Sequence, residues 1–381
     1  VHIPWCERKC PYCDFNSHEH FDTSLQAPYV DALLADLESQ LSFVEGRNLT
    51  SIFIGGGTPS LFEAQYIGAL LDRIDQRLGI PRTVEVTLES NPGSAESARY
   101  QGYRAAGVNR LSIGVQSFAP TALSRLGRVH DAQQAIRACE LAVAAGFARF
   151  NIDLMHGLPE QTPAEAQQDL EQALALGARH ISWYQLTIEP NTAFYRAPPA
   201  LPLEDALGTI QDRGEATLAA GGLQRYEVSA FAVPGEESRH NLNYWRFGDY
   251  LGIGAGAHGK VSTGQGAQWR VQRFQRTRVP KDYLQAAAPS STGALQFAPP
   301  RCQPVPPEDL VGEFMMNALR LVDGVTLADF LEHTRLPRSA LQSPLARAQA
   351  RGLMVNDPDR LAPTELGLRF MNDVVGMFFD D

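Results

Sequence analysis

Near its start the chain reads Val1-His2-Ile3-Pro4-Trp5-Cys6-Glu7-Arg8-Lys9-Cys10-Pro11-Tyr12-Cys13-Asp14-Phe15. A short apolar run, Val1–Ile3, looks like the end of a strand, and three cysteines at C-x3-C-x2-C spacing follow it on one loop. The two other cysteines, Cys139 and Cys302, stand alone, and no secretory feature is visible. Such clustering points to metal or redox chemistry rather than to crosslinks. Three thiolates can take three corners of a cubane 4Fe–4S cluster. The fourth iron is then left without a side chain, a vacancy that S-adenosylmethionine fills through its amino and carboxylate groups. Cys10 and Cys13 also admit zinc, with His18 or His20 completing a tetrahedron, although zinc sites usually use a second knuckle and none is present. Inert buried thiols are the third possibility.

Outward from this loop, short β-branched runs alternate with helical patterns over the first two-thirds of the chain. Strands are predicted at Ser51–Ile54, Thr83–Leu88, Leu111–Val115, Phe150–Leu154 and Ile181–Leu186. Helices are predicted at Pro28–Val44, 62–78, 94–106, 132–145 and 163–176, with Gly107, Gly146 and Gly177 placed as C-terminal caps. About six strand–helix units in series imply an α/β fold, a parallel sheet curled into a partial or full barrel of the (β/α)6 type. Chemistry in such barrels gathers where the strands end. The cysteines, Gly55–Pro59, Glu89, Gln116 and Asp153 all fall at such positions.

The 381 residues carry 43 acidic and 33 basic groups, a formal charge of −10. An acidic surface repels phosphate backbones, so nucleic-acid binding is not expected. No apolar run reaches the roughly 18–20 residues needed to span a bilayer, and a soluble, cytoplasmic protein is expected.

Several ordered motifs make the pattern specific: His2-Ile3-Pro4-Trp5-Cys6 through Cys13-Asp14-Phe15, Gly55-Gly56-Gly57-Thr58-Pro59, Leu88-Glu89-Ser90-Asn91-Pro92, Gly114-Val115-Gln116-Ser117-Phe118, Leu126-Gly127-Arg128 and Asn151-Ile152-Asp153-Leu154-Met155. Together they resemble the radical S-adenosylmethionine superfamily, in particular the branch of oxygen-independent coproporphyrinogen III oxidase and the HemW-type haem chaperones. The resemblance runs along nearly the whole chain. It implies a radical S-adenosylmethionine partial TIM barrel, a 4Fe–4S cluster on Cys6, Cys10 and Cys13, and S-adenosylmethionine held by Gly56, Gly57, Thr58, Glu89, Gln116, Arg128, Asp153 and Tyr12. Strand-end carboxylates suit ribose hydroxyls or an ammonium group.

Within that branch two features separate chaperone from oxidase. The oxidase cluster motif continues Cys-Gly-Cys, whereas Cys13 here is followed by Asp14-Phe15. His240-Asn241-Leu242-Asn243-Tyr244-Trp245 is similar to the HNxxYW signature of HemW-like proteins, whose histidine is proposed to engage haem. Neutral imidazole is a usual axial ligand, and Tyr and Trp offer flat apolar faces. Packing beneath Gly252-Ile253-Gly254-Ala255-Gly256 would explain His240 and Trp245 equally without a ligand. His258 is a second haem candidate, and Arg270, Arg273, Arg276, Arg278 and Lys281 suit haem propionates.

From about residue 282 the composition shifts, and Ala286–Pro307 reads as a linker. Helices at Glu308–Leu321, Thr326–Glu332 and Ser339–Arg351, a hairpin at Leu353–Leu361 and a last helix at Thr364–Phe378 are expected to form a winged-helix-like unit. Three regions follow: a barrel core at 1–230, an extension carrying the HNxxYW motif at 231–304, and a C-terminal domain at 305–381. The resemblance thus implies a haem chaperone with haem, a haem-acceptor protein such as a respiratory one, and an electron donor as partners. An oxidase acting on a porphyrinogen and a structural zinc protein are the alternatives; no catalytic residue is assigned.

Overall fold

The computed structural model describes residues 1–44, 46–93, 98–289 and 293–379. Six parallel strands lie side by side in chain order: β1 (His2–Ile3), β2 (Ser51–Gly56), β3 (Glu85–Ser90), β4 (Arg110–Gln116), β5 (Arg149–His156) and β6 (His180–Gln185). An antiparallel hairpin, β7 (Gln224–Glu227) and β8 (Ala230–Ala232), extends the sheet with β8 next to β6. Among the described residues no pairing returns β7 to β1, so the sheet is a partial barrel.

Period-two alternation splits each strand into two chemistries. Ile52 and Ile54, Val86 and Leu88, Leu111 and Ile113, Phe150 and Ile152, and Ile181 and Trp183 pack outward, in one core with Leu33, Leu70, Ala138 and Leu170 of the helices. Residues of the opposite parity (Glu85, Thr87, Glu89, Arg110, Ser112, Asn151, Asp153, His180, Ser182 and Tyr184) face the lumen. Most of these are polar and several bond one another across strands. A barrel lined this way must satisfy its own buried groups or hold a polar ligand.

The helices begin and end where their chemistry requires. Asp131 and Gln134 form a capping box ahead of Ala132–Ala144, and Thr162 and Glu165 do so ahead of Pro163–Ala175. Gly107, Gly146 and Gly177 take φ of 104°, 83° and 79°, the left-handed turn predicted for them. The first helix, Gln26–Glu38, ends earlier than expected: Gln40 turns inward to the Gly252 carbonyl at 2.9 Å, and a 3-10 turn covers Leu41–Phe43. Part of the helix expected at 94–106 lies outside the described residues; Tyr100–Ala105 is helical.

A second core gathers Phe247, Val271, Leu310, Phe314, Phe330, Leu341, Leu361 and Phe378. The expected hairpin at Leu353–Leu361 closes slightly further along, with Val355 N–H bonded to the Ala362 carbonyl and Thr364 N–H to the Leu353 carbonyl (each 3.0 Å), and its returning arm, Arg360–Leu361, also pairs with Val325–Thr326 ahead of the Leu327–Thr334 helix. The last helix is broken, into Glu365–Arg369 and Met371–Gly376 at Phe370, whose ψ of 40° leaves the helical range. No helix is long and apolar enough to cross a membrane among the described residues.

Candidate functional site

The cysteine loop is closed at its neck by backbone bonds. Cys6 N–H donates to the His18 carbonyl (2.9 Å) and His18 N–H to the Pro4 carbonyl (2.7 Å), so Trp5 and His18 pair like neighbouring strands. A turn from Cys13 N–H to the Cys10 carbonyl (3.1 Å) brings the second and third cysteines round. All three are free thiols, partly exposed, and burial pushes the Cys6 and Cys13 thiols up.

The glycine motif is zipped against this loop. Gly57 N–H donates to the Ile3 carbonyl (2.8 Å) and Thr58 N–H to the Trp5 carbonyl (2.7 Å). A Cβ on Gly57 would overlap the Trp5 carbonyl, and one on Gly56, whose φ is +125°, would come within 2.8 Å of the Ile3 carbonyl. These glycines therefore serve close backbone approach within the chain itself. Thr58 Oγ1 reaches Cys6 Sγ at 3.5 Å.

Arg128 spans the site. Its Nη1 lies 3.4 Å from Cys10 Sγ, and its Nη2 donates to Asn91 Oδ1 (2.7 Å) and the Gly114 carbonyl (2.8 Å), while Nε is buried without a partner among the described residues. Asn91 in turn donates to Thr58 Oγ1 at 2.9 Å. Asn91 is thus the hub between the glycine loop and Arg128, a role its place two residues beyond Glu89 could have suggested. Gln116 holds a left-handed φ of 70° at a register shift in β4, and its Oε1 accepts from Tyr184 Oη at 2.7 Å. Tyr184, too, had no sequence signal beyond its strand. Tyr12 packs on Phe194 beside Cys10 and Arg128.

Deeper in the lumen stand two carboxylates. Glu89 Oε2 accepts from Gly56 N–H at 2.9 Å. Enclosure in the protein, and then the neighbouring Asp153, push its carboxyl up to about 8. Asp153 accepts from Asn151 Nδ2 (2.7 Å) and Ser112 Oγ (3.0 Å), and enclosure raises its carboxyl also. Neither has an ion-pair partner among the described residues. Two enclosed carboxyl groups that resist ionising together are relieved by a ligand carrying an ammonium group and hydroxyls, and S-adenosylmethionine carries both.

The metal alternatives separate on donor geometry. His18 Nε2 is turned to Asn16 Oδ1 and the Arg278 carbonyl, each at 3.3 Å. Among the described residues no three His, Cys, Asp or Glu side chains stand close enough together to hold a single ion, which tetrahedral zinc requires. A cubane spreads three thiolates over three irons, and the loop with its three free thiols fits that demand.

His240 lies apart from the cysteines, near the beginnings of the strands. Its ring stacks on Phe53 (4.2 Å, 11°) with Tyr244 edge-on (4.5 Å), and its backbone N–H faces Glu85 Oε1 at 3.3 Å. Burial holds the imidazole down at about 3, so it is neutral. No hydrogen bond reaches either ring nitrogen from the described residues. The ring borders a cavity of about 700 Å³ whose wall includes Phe53, Gly56, Glu89, Tyr250, His258 and Arg278. The glycine-rich turn packs on β1 rather than over His240: His2 N–H donates to the Ile253 carbonyl, and Gly254 abuts His2. Trp245 lies instead under the Arg320 guanidinium, 4.4 Å from its ring.

The basic stretch does not act as one patch. Arg273 pairs with Glu313, and Arg276 with the buried Asp36, so both serve the fold. Arg278 is the member that borders the cavity.

The Radical SAM superfamily model matches residues 1–173, and the HemN C-terminal domain model matches residues 305–370. The chain is 46% identical to the haem chaperone HemW of Escherichia coli (strain K12) over 99% of its own length and 97% of that protein's. It is 32% identical to the haem chaperone HemW of Bacillus subtilis (strain 168), over 100% and 98%. It is 36% identical to the mitochondrial radical S-adenosyl methionine domain-containing protein 1 of Bos taurus, over 86% and 73%. Among solved structures, coproporphyrinogen III oxidase (HemN) from Escherichia coli, a radical SAM enzyme, superposes with a TM-score of 0.80 at 23% identity, covering 99% of this chain and 88% of that one. That similarity extends to the fold.

Proposed function

Because this chain belongs to the haem chaperone HemW family within the radical S-adenosylmethionine superfamily, we propose that it binds haem and passes it to acceptor proteins. Membership in the superfamily implies S-adenosylmethionine and a 4Fe–4S cluster as cofactors. In this reading Cys6, Cys10 and Cys13 ligate the cluster, which supplies single electrons able to cleave the sulfonium of S-adenosylmethionine once a donor has reduced it. Gly56, Gly57 and Thr58 frame the methionyl end, and Glu89 receives its ammonium group. Asp153 takes ribose hydroxyls, while Gln116 and Tyr12 flank the cofactor. Arg128 holds positive charge beside Cys10 and offsets the charge of the thiolates.

The observation that carries the haem assignment is His240: a neutral imidazole with no hydrogen bond to its ring nitrogens from the described residues, on the wall of a cavity of about 700 Å³. That volume lies within the usual range for small-molecule and cofactor sites, roughly 300–1,000 Å³. Neutral imidazole is what an axial iron ligand must be. Arg278, on the same wall, suits a propionate.

Haem titration of the wild type against His240→Ala tests this directly. The variant is expected to bind haem at least about 10-fold more weakly and to lose the spectrum of a histidine-ligated iron, one axial bond being worth more than ~1.4 kcal/mol. Equal affinity and an unchanged spectrum would remove His240 from the haem site.

A further inference from the structure

A row of hydrogen bonds runs from Asp153 to Tyr226, which lies beside the helix that carries the HNxxYW motif, Arg239–Trp245. Asn151 Oδ1 accepts from Ser182 N–H at 2.9 Å, which identifies that atom as the oxygen. His180 Nδ1, 2.7 Å from the same oxygen, must then be the protonated nitrogen. Burial drives the His180 pKa well below its ordinary value, so the ring is neutral and Nε2 can only accept. Its partner at 2.9 Å is Tyr226 Oη, which therefore donates. That leaves the Tyr226 oxygen able to accept from the motif helix, whose Asn241 side chain and Ser238 N–H lie beside it. At the other end Asn151 Nδ2 donates to Asp153 Oδ1 (2.7 Å) and to Ser112 Oγ (2.8 Å), and Ser112 Oγ donates to Asp153 Oδ2 (3.0 Å).

Every link from Tyr226 through His180 and Asn151 to Asp153 thus has a determined direction, with Asn241 of the motif helix beside Tyr226. His180 and Asn151 are 3% and 2% exposed, so no water replaces a broken link cheaply. Bonds aligned head to tail also polarise one another. Tyr226 has a second tether: its carbonyl accepts from Val322 N–H of the C-terminal region at 3.1 Å, while Arg320 caps Trp245 of the motif helix.

We propose that Tyr226 and His180 are positioning residues that orient the Asp153 carboxylate for its ligand, and that through Asn241 they couple the motif helix to the S-adenosylmethionine site. This rests on the placement of S-adenosylmethionine at Asp153 and of haem at His240 given above. Asn241 adjoins His240 in the chain, so a ligand that shifts the helix shifts one end of the row. Coupling between two binding equilibria is reciprocal: S-adenosylmethionine must then change haem affinity by the same factor as haem changes that of S-adenosylmethionine.

The test uses anaerobically reconstituted full-length chain and two titrations, S-adenosylmethionine alone and haem with and without saturating S-adenosylmethionine. Tyr226→Phe keeps the ring and removes the hydroxyl. It is expected to weaken S-adenosylmethionine about 5- to 50-fold, as loss of a buried hydrogen-bond partner does. Haem affinity measured alone should stay within about twofold, while its dependence on S-adenosylmethionine disappears. A general loosening of the fold would lower both affinities and would not produce that pattern. Asn241→Ala, at a half-buried position, serves if Tyr226→Phe does not fold, with the same sign and a smaller effect. Wild-type S-adenosylmethionine affinity in Tyr226→Phe, alongside weakened binding in Asp153→Asn, would overturn the relay and leave the site standing. Unchanged affinity in Asp153→Asn would instead remove the cofactor from this carboxylate, and the relay's purpose with it.

Discussion

Glu89→Gln is expected to act in opposite directions on the empty and the loaded protein. Without cofactors the variant should be the more stable at pH 9, by roughly 2–4 kcal/mol, because water in the lumen takes part of what a dry site would give. The carboxyl of Glu89 is held up at about 8 by enclosure and by Asp153, against an ordinary value near 4.5. A carboxyl that is harder to ionise folded than unfolded leaves the folded state holding the proton longer. Stability contributed by that proton is full below about pH 4.5 and is lost as pH rises through about 8. Glutamine carries no such penalty, so the two denaturation curves should converge at pH 5 and separate at pH 9. The loaded protein should show the reverse: S-adenosylmethionine affinity falls about 10- to 100-fold at pH 8, the scale of a lost charge-assisted hydrogen bond. Equal stability of both proteins at pH 9 would show that Glu89 bears no unpaired charge.

The second large effect is expected from Gly57→Ala. The three atoms nearest the new methyl all belong to the Trp5 and Pro4 backbones, and backbone cannot rotate aside as a side chain does. The clash falls where Gly57 and Thr58 bond the Ile3 and Trp5 carbonyls, the seam joining β2 to the cysteine loop. Overpacking there is expected to cost about 2–4 kcal/mol and to displace Cys6, so bound iron after reconstitution should fall well below half of the wild-type amount. Gly208→Ala is the control: it lies in the Glu204–Ala220 helix with nothing within 4 Å of its would-be Cβ. It should be neutral or stabilising by up to ~1 kcal/mol. Full iron loading in Gly57→Ala would mean that the loop does not depend on this seam.

What was legible in the sequence was what neighbours along the chain determine. Val84, Val86 and Leu88 announced a strand, though the pairing of β3 with β4 carries it on to Ser90, two residues past the predicted end. The capping glycines were readable because φ is a local property. Non-local pairing was not: Arg360–Leu361 reads as part of a local hairpin, which does close, but its second partner, Val325–Thr326, is more than 30 positions away. The hairpin β7–β8 begins in the polar run Gln224-Arg225-Tyr226-Glu227, which has no strand-like periodicity and is held by pairing across the sheet. Ordered motifs are what nominated the cysteines, Gly56, Gly57, Thr58, Glu89, Gln116, Arg128 and Asp153 for the proposed site. Asn91 and Tyr184 were not nominated, because they act through Arg128 and Gln116, partners distant in the chain. Arg273 and Arg276 looked free in the sequence because their acids, Glu313 and Asp36, lie 40 and 240 positions away.

The most direct measurement is the iron and sulfide content of the anaerobically reconstituted chain, wild type against Cys10→Ala, with electron paramagnetic resonance of the reduced protein before and after S-adenosylmethionine. The account requires about four irons and four sulfides per wild-type chain, a resonance that shifts when S-adenosylmethionine is added, and neither content nor shift in Cys10→Ala. A wild-type chain that takes up one zinc and no sulfide, or a Cys10→Ala variant that loads and responds like the wild type, would contradict it.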